Sequence, residues 1–173
     1  MFLSAPVLPP QVLDHEVHQH LHFQFDRKDR CFLYRRDGAH TIMLSVERPK
    51  LQHVHLPVER LHISHPVSFA ADLVITRAEH IGPTSRGRRV DIRDHDHRRA
   101  WLRRALDGAA LVPFARFEDR SFTLANGVRR IIAQTTGCIQ ITDPGAFAAV
   151  LQTGIGRGRA FGCGLLWIPE AMQ

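Results

Sequence analysis

The sequence predicts an α+β fold in which two similar units follow one another along the chain. Segments with the apolar pattern of β-strands are interspersed with segments whose apolar residues recur at helical spacing. Asp37-Gly38 and Asn126-Gly127 each stand between two strand-like segments, where such a pair is a strong signal for a β-hairpin. The order of strand, helix and hairpin occurs twice, which predicts tandem ferredoxin-like units at residues 1–66 and 67–173.

The first unit is predicted to contain four strands, at residues 1–7, 31–35, 40–47 and 61–64. Between the first two strands the apolar pattern changes. Leu13, Val17 and Leu21 fall at positions i, i+4 and i+8, so that they form one stripe on a helix. We therefore expect a helix over residues 11–23.

The second unit is predicted to contain four strands, at residues 68–78, 114–124, 128–141 and 165–168. A helix is predicted over residues 94–106, because Asp94 is a favoured N-cap and Gly108 a favoured residue just after a helix. Another helix begins at Asp143-Pro144, where an aspartate cap is followed by proline in the first turn, and it ends at Gly154.

The composition indicates a cytoplasmic protein that binds polyanions. Of the 173 residues 44% are hydrophobic, which suffices for a buried core, and the formal net charge is +6. All but two of the 23 basic residues are arginines, whose planar guanidinium suits phosphate recognition. Three cysteines without a Cys-x-x-Cys pair fit a reduced cytosolic compartment. The sequence shows neither a signal peptide nor an apolar run of about 20 residues, so we expect no membrane association.

A glycine-rich segment with two arginines follows the last predicted helix, from Gly154 to Gly164. Glycine lets a backbone approach its ligand closely, and successive bare N–H groups form a concavity that binds anions. The spacing does not match the dinucleotide-binding or Walker patterns. We predict a polyanion-binding loop, with a purely structural turn as the alternative. The candidate contacts are Gly156, Arg157, Gly158, Arg159 and Gly162.

Three histidines of the first helix, His15, His18 and His22, fall on one stripe opposite its apolar face. A polar helix face that happens to contain histidine is one interpretation. A metal site is another, because histidines at i and i+4 can share a zinc ion. The third is acid–base catalysis on RNA, since imidazole both accepts and donates protons near neutral pH.

Clusters of arginine elsewhere in the second unit predict an RNA-binding track, with a solvated basic face as the alternative. One cluster lies in a basic loop before the helix, one on the helix itself, and one beside the Asn126-Gly127 turn. The candidate residues are Arg86, Arg88, Arg89, Arg99, Arg103, Arg129 and Arg130.

Residues 154–166, Gly-Ile-Gly-Arg-Gly-Arg-Ala-Phe-Gly-Cys-Gly-Leu-Leu, resemble the C-terminal glycine-rich loop of the RAMP superfamily. Within it, they resemble the CasE (Cse3) family of CRISPR repeat endoribonucleases. Residues 18–23, His-Gln-His-Leu-His-Phe, are similar to the first-helix segment of that family, and residues 32–35 to its second strand. Residues 1–4 resemble its first strand, and residues 90–92 with 100–106 resemble its internal helix, so that the resemblance covers the whole chain.

The resemblance implies an endoribonuclease with tandem ferredoxin-like domains that needs neither metal nor cofactor. Such an enzyme cuts CRISPR precursor RNA at the base of the repeat hairpin and leaves a 5′-hydroxyl and a 2′,3′-cyclic phosphate. It then stays bound to the 3′ hairpin of the mature guide RNA, as a monomer beside the other subunits of a Cascade-type complex. Complexes of type I-E and of the related type IV both fit this description.

The resemblance places the catalytic histidine on His18. The family often has tyrosine three residues earlier, where this chain has His15, and we expect His15 to take the second acid–base role. A further basic residue of the family site falls near Arg27 and Lys28. The alternatives are a non-catalytic subunit that binds an RNA hairpin, and a small metal-dependent enzyme that uses His15, His18 and His22.

Overall fold

The computed structural model describes residues 1–9, 12, 16–26, 31–37, 40–56, 65–79, 87–123 and 129–169. The strands in these ranges are β1 (Phe2–Ser4), β2 (Phe32–Asp37), β3 (His40–Ser45), β4 (Val54–His55), β5 (Val67–Leu73), β6 (Thr76–Glu79), β7 (Arg88–Asp91), β8 (Ala110–Thr123) and β9 (Arg129–Ile141). The helices are α1 (Val17–His22), α2 (His95–Ala105), α3 (Pro144–Thr153) and a one-turn 3-10 helix (Arg159–Phe161). None of the helices in the described ranges has the length and hydropathy of a membrane span.

The first sheet has the strand order β2-β3-β1-β4, and every neighbouring pair is antiparallel. Helix α1 connects β1 to β2, with β3 inserted between them, which is the split βαβ arrangement of a ferredoxin-like unit. Strand β4 forms one edge of this sheet, beside β1. The strand predicted at 61–64 lies outside the described residues.

The second sheet has the order β5-β9-β8, with α2 between β5 and β8 in the chain, and it repeats the same arrangement. Its fourth strand is reduced to one residue. Trp167 forms an antiparallel bridge with Ala70 through two backbone hydrogen bonds of 2.8 and 2.9 Å. The strand predicted at 165–168 is wrong in extent, because the left-handed backbone of Gly164 (φ +91°) turns the chain before it and Pro169 lacks an N–H after it. The fold class, α+β with tandem ferredoxin-like units, is confirmed.

The single long strand predicted at 68–78 is also wrong, because the chain leaves the second sheet after Leu73. Val74 pairs instead with Arg157, and the backbone N–H of Ile92 donates to the carbonyl of Ile75 at 3.0 Å. Beyond that point β6 and β7 form a separate two-stranded antiparallel ribbon, called the β6–β7 ribbon below. Local sequence favours extended backbone throughout, so the break comes from pairing with distant segments.

The helix predicted over residues 11–23 is shorter than expected, because the described residues Val12 and Glu16 are not helical and α1 begins at Val17. Local signals in the chain predict the other helices and the hairpins well. The hairpins β2–β3 and β8–β9 are confirmed, although β8 begins earlier than expected and carries a register shift between Leu111 and Phe114. The N-caps are confirmed too. The Asp94 carboxylate accepts from the backbone N–H of His97 at 2.8 Å, and Asp143 accepts from that of Ala146 at 2.9 Å.

The two sheets share a single apolar core. One cluster of buried residues joins Leu33 and Leu44 of the first sheet to Phe69 and Leu73 of the second, and to the final segment of the chain. A smaller cluster lies between α1 and the other face of the first sheet, and it includes Val17, Leu21, Phe32, Tyr34 and Met43. The alternation of Phe32, Leu33 and Tyr34 along β2 thus serves both clusters.

Candidate nucleic-acid interface

A cleft of about 630 Å³ opens beside the β6–β7 ribbon, and we call it the arginine cleft. It contains six arginines and one carboxylate. Its lining residues are Val74, Thr76, Arg88, Arg89, Val90, Asp91, Arg93, Arg129, Arg130, Arg157, Gly158 and Phe161. A concave surface lined by one sign of charge concentrates counter-ions, so the cleft attracts polyanions.

Three separate elements bring the arginines of the cleft together. Arg88 and Arg89 belong to β7, which is held by its pairing with Glu79 and Ala78 of β6. Arg129 and Arg130 begin β9, at the end of the long hairpin where β8 leads into β9. Arg157 reaches the cleft because the glycine-rich segment pairs with Val74 at the end of β5.

The glycines allow the glycine-rich segment to lie directly against its neighbours. A Cβ atom on Gly158 would stand 2.8 Å from Cγ2 of Val74, and the φ of this residue is +81°. A Cβ on Gly156 would stand 3.0 Å from the ring of Trp101, and one on Gly162 the same distance from the ring of Tyr34. The segment is therefore both a packing element and, at Arg157 and Gly158, part of the cleft wall.

Several residues predicted for RNA binding lie elsewhere. Arg159 donates from Nη2 to the carbonyl of Gly154 at 3.3 Å, and it does not appear in the described lining of the arginine cleft. Arg99 and Arg103 lie on the solvent side of α2, where Arg99 bonds Asp96 at 2.7 Å. Arg86 lies outside the described residues.

Arg93 lines the arginine cleft, although it is not among the residues predicted from the sequence to bind RNA. It ends the basic run that begins at Arg86, and extending the run to its last arginine would have included it. Arg93 also borders a second cavity of about 500 Å³, which shares Asp91 and Arg129 with the cleft and adds Arg120. Because Asp119 lines this cavity too, its charge is mixed, with three arginines and two carboxylates, and it extends the surface of the cleft toward β8.

The side chain of His18 is partly buried on α1, among aromatic rings. Its ring centroid lies 5.2 Å from that of Phe32, 5.9 Å from that of His22 and 6.4 Å from that of Tyr34, on which it stacks at 23°. Tyr34 in turn donates its hydroxyl proton to the carbonyl of Ala160 at 2.7 Å. His15, Arg27 and Lys28 lie outside the described residues.

Helix α1 and the arginine cleft both adjoin the same short 3-10 helix. α1 contacts this helix, whose central residue Ala160 is bonded to Tyr34, while the next residue, Phe161, lines the cleft. His18 itself is not among the described lining residues of the cleft. Among the residues that the structure describes, no group of three or more histidine, cysteine, aspartate or glutamate side chains is arranged to hold a metal ion.

Cys163 belongs to the glycine-rich segment and serves packing rather than chemistry. Its side chain is buried against Gly158, where Sγ would stand 3.3 Å from an added Cβ. Burial, with the negative charge of Asp72 as a smaller cause, raises the pKa of this thiol to about 12. The thiol is therefore neutral at physiological pH and is not a nucleophile.

Two ferredoxin-like units that present a row of arginines beside a glycine-rich segment define a protein of the α+β class with a basic surface suited to polyanions. The chain belongs to the family of CRISPR-associated proteins, whose family model matches residues 10–169. Comparison with curated proteins finds no match.

Solved structures share the fold over nearly the whole chain. Cas6e from Escherichia coli K-12 is 21% identical, with a TM-score of 0.81, and the alignment covers 97% of this chain and 98% of that one. Thermus thermophilus Cse3 bound to an RNA representing a pre-cleavage complex is 20% identical, with a TM-score of 0.78 and coverage of 96% and 98%. A chain of Escherichia coli Cascade bound to a double-stranded DNA target is 22% identical, with a TM-score of 0.60 and coverage of 97% and 98%. The resemblance to the CasE (Cse3) family is confirmed.

Proposed function

We propose that the protein is an endoribonuclease that cleaves CRISPR precursor RNA at the base of the repeat hairpin. The observation that carries the proposal is the contact of α1, which bears His18, with the 3-10 helix that leads into the arginine cleft. An RNA strand held in the cleft can pass over this short helix to reach the imidazole. In this proposal the arginines of the cleft bind phosphate and His18 transfers protons, and both lie near the same 3-10 helix.

The similar proteins support the choice of RNA as the polyanion. The Thermus thermophilus Cse3 structure contains an RNA representing a pre-cleavage complex, and another is of the endoribonuclease Cse3 bound to a 19-nucleotide RNA. A further similar chain belongs to a CRISPR RNA-guided surveillance complex. By this likeness we propose that the protein binds a CRISPR repeat hairpin and stays on the mature guide RNA as one subunit of a Cascade-type complex in the cytoplasm.

The arginine cleft supplies the binding energy in this proposal. Arg88 and Arg89 on one wall and Arg129 and Arg130 on the other donate to backbone phosphates, which positions the RNA without reading its sequence. Each neutralised phosphate releases condensed counterions, so the affinity falls steeply as the salt concentration rises. Asp91, which also lines the cleft, repels phosphate and favours the amino groups of base edges.

Cleavage needs no external nucleophile, because the ribose supplies its own 2′-hydroxyl. In the proposed reaction the imidazole of His18 accepts the 2′-hydroxyl proton while the 2′-oxygen attacks the adjacent phosphorus. The bond from phosphorus to the 5′-oxygen breaks, and a second group gives that oxygen a proton. The products are a 2′,3′-cyclic phosphate and a 5′-hydroxyl. By the family resemblance we assign the second role to His15, and we propose that the reaction requires no metal ion.

A cleavage assay on a repeat hairpin in the presence of EDTA tests the proposal. We expect the wild-type protein to cut once at the base of the hairpin, and His18→Ala to bind the RNA with unchanged affinity but without cutting. His53→Ala is a matched control, because His53 lies by Phe2 at the edge of the first sheet. Absence of cleavage by the wild type, or full cleavage by His18→Ala, would contradict the proposal.

A second candidate function is that of a non-catalytic subunit that only binds the hairpin. It is favoured by the position of His18, whose ring is partly buried against Phe32 and Tyr34 rather than in the cleft. The same assay separates the two functions, since this candidate predicts tight binding of the hairpin by the wild type with no product.

A further inference from the structure

Arg98 is a buried arginine on the face of α2 that also carries the buried Leu102. Only 2% of its surface is exposed, whereas Arg103 and Arg104 of the same helix face solvent. Its Nε donates to the carbonyl of Ile92 at 2.6 Å, and its Nη2 lies 2.7 Å from Oδ1 of Asp119. This guanidinium is therefore used inside the protein and cannot reach an RNA phosphate.

The carbonyl that Arg98 holds belongs to the base of the β6–β7 ribbon. Ile92 directly follows β7, and its N–H donates to Ile75, the residue directly before β6. This hydrogen bond closes the ribbon where it leaves the second sheet. Arg98 thus binds the base of the ribbon from the side of α2.

The other partner of Arg98 lies on the long hairpin. Asp119 belongs to β8 and pairs with Ala133 of β9, the strand that begins with Arg129 and Arg130. The guanidinium also stands 5.9 Å from the ring centroid of Phe117, two residues earlier on β8. One buried side chain therefore links the ribbon, which carries Arg88 and Arg89, to the hairpin on the opposite wall of the arginine cleft.

We propose that Arg98 is a positioning residue that fixes the distance between the two arginine walls of the cleft. With the walls fixed before RNA arrives, several arginines meet phosphates together and little ordering entropy is lost on binding. The role in RNA recognition rests on the proposed function, whereas the role in holding the ribbon does not. Loss of Arg98 acts on the ribbon as a whole and not on one phosphate contact.

The salt dependence of RNA binding distinguishes this role from a direct contact. Removal of one phosphate contact lowers the slope of log K against log salt by about 0.7 to 0.9. Arg88→Ala is expected to show a loss of that size. Arg98→Met is expected to lower the slope by the value of about two to three phosphate contacts. The reason is that Arg88, Arg89 and Arg93 lose their fixed position together. Arg99→Met, on the next residue of α2, is the matched control and loses one contact at most.

Hydrogen exchange on the free protein provides the readout that needs no RNA. In Arg98→Met the amides of β6 and β7 are expected to exchange at least about tenfold faster than in the wild type, while those of β5 stay protected. Arg99→Met leaves the protection of the ribbon unchanged. If Arg98→Met does not fold, Asp119→Asn takes its place, since it weakens the same link at a residue that is 44% exposed.

Three results would overturn the inference. If Arg98→Met lowers the salt slope by the value of one contact and leaves the amide protection of the ribbon normal, Arg98 is a direct phosphate ligand. An unchanged slope in a variant with a lower melting temperature would make it a purely structural residue. Normal ribbon protection in both Arg98→Met and Asp119→Asn would show that other contacts hold the ribbon. Faster exchange in a protein that binds no RNA would instead refute the proposed function and leave the ribbon link intact.

Discussion

The hydroxyl of Tyr34 is hydrogen-bonded to the carbonyl of Ala160, 126 residues further along the chain. Tyr34 is 1% exposed, and the ring of His18 stacks on it. The bond therefore sets the position of the histidine-bearing helix relative to the segment that enters the arginine cleft. One buried phenol thus helps to fix the relative position of the imidazole and the arginines.

Tyr34→Phe removes this hydrogen bond and keeps the ring. We expect the free energy of unfolding to fall by about 1 to 3 kcal/mol, because the Ala160 carbonyl loses its donor in a partly buried site. The single-turnover cleavage rate is expected to fall by roughly tenfold at saturating protein, since small displacements of a reacting group are costly. Measured RNA affinity stays near that of the wild type. A reduced melting temperature with an unchanged rate would limit the bond to a structural role.

Arg157 and Arg159 stand two residues apart but face different surroundings, so they form a matched pair. Arg157→Ala is expected to weaken hairpin binding and to lower its salt slope by about 0.7 to 0.9, because its guanidinium lines the cleft. Arg159→Ala is expected to lower the melting temperature, since this side chain bonds the carbonyl of Gly154. Filter binding at several salt concentrations and thermal unfolding measure the two effects. The reverse pattern would show that the glycine-rich segment changes its conformation when RNA binds.

Arg99→Ala and Arg103→Ala test whether the RNA also crosses α2. Both guanidiniums lie outside the described lining of the arginine cleft, and Arg99 is held by Asp96 in an exposed pair. We expect each substitution to lower the salt slope by roughly one counterion, because the RNA track predicted from the sequence includes this helix. Slopes equal to that of the wild type in both variants would confine the interface to the cleft.

The raised pKa of Cys163 predicts both a slow chemical reaction and an alkaline loss of stability. Because the thiol ionises near pH 12 in the folded state and near 8.5 when unfolded, stability is complete below about pH 8.5 and falls as the pH rises toward 12. Alkylation at pH 8, followed by mass spectrometry, is expected to modify Cys31 and Cys138, which are partly exposed, before Cys163. Equal rates at the three thiols would show that the glycine-rich segment opens readily.

Short-range chemistry explains what the sequence predicts correctly. The two hairpins are predicted from Asp-Gly and Asn-Gly pairs in the sequence, and the caps at Asp94 and Asp143 depend on atoms three residues away. The division of the elements into two ferredoxin-like units follows from their order. Such features are predictable because the interacting groups are neighbours in the chain.

Long-range pairing explains what the sequence does not reveal. The strand predicted at 68–78 breaks because Val74 pairs with Arg157 and Ile75 with Ile92, and neither partner is evident locally. The same holds for the arginines of the candidate site. Arg157 faces the cleft, Arg159 turns back to Gly154 and Arg98 is buried, yet all three look alike in the sequence. Their surroundings, which only the fold defines, decide their roles.

The apolar cluster shared by the two sheets has a mechanical consequence. With Leu33 and Leu44 of one sheet buried together with Phe69 and Leu73 of the other, the two sheets form one packed body in the part of the chain that the structure describes. A protein built this way cannot close around its ligand like a clamp. It acts instead as a stiff template, and an RNA that touches both surfaces must bend to match its contour.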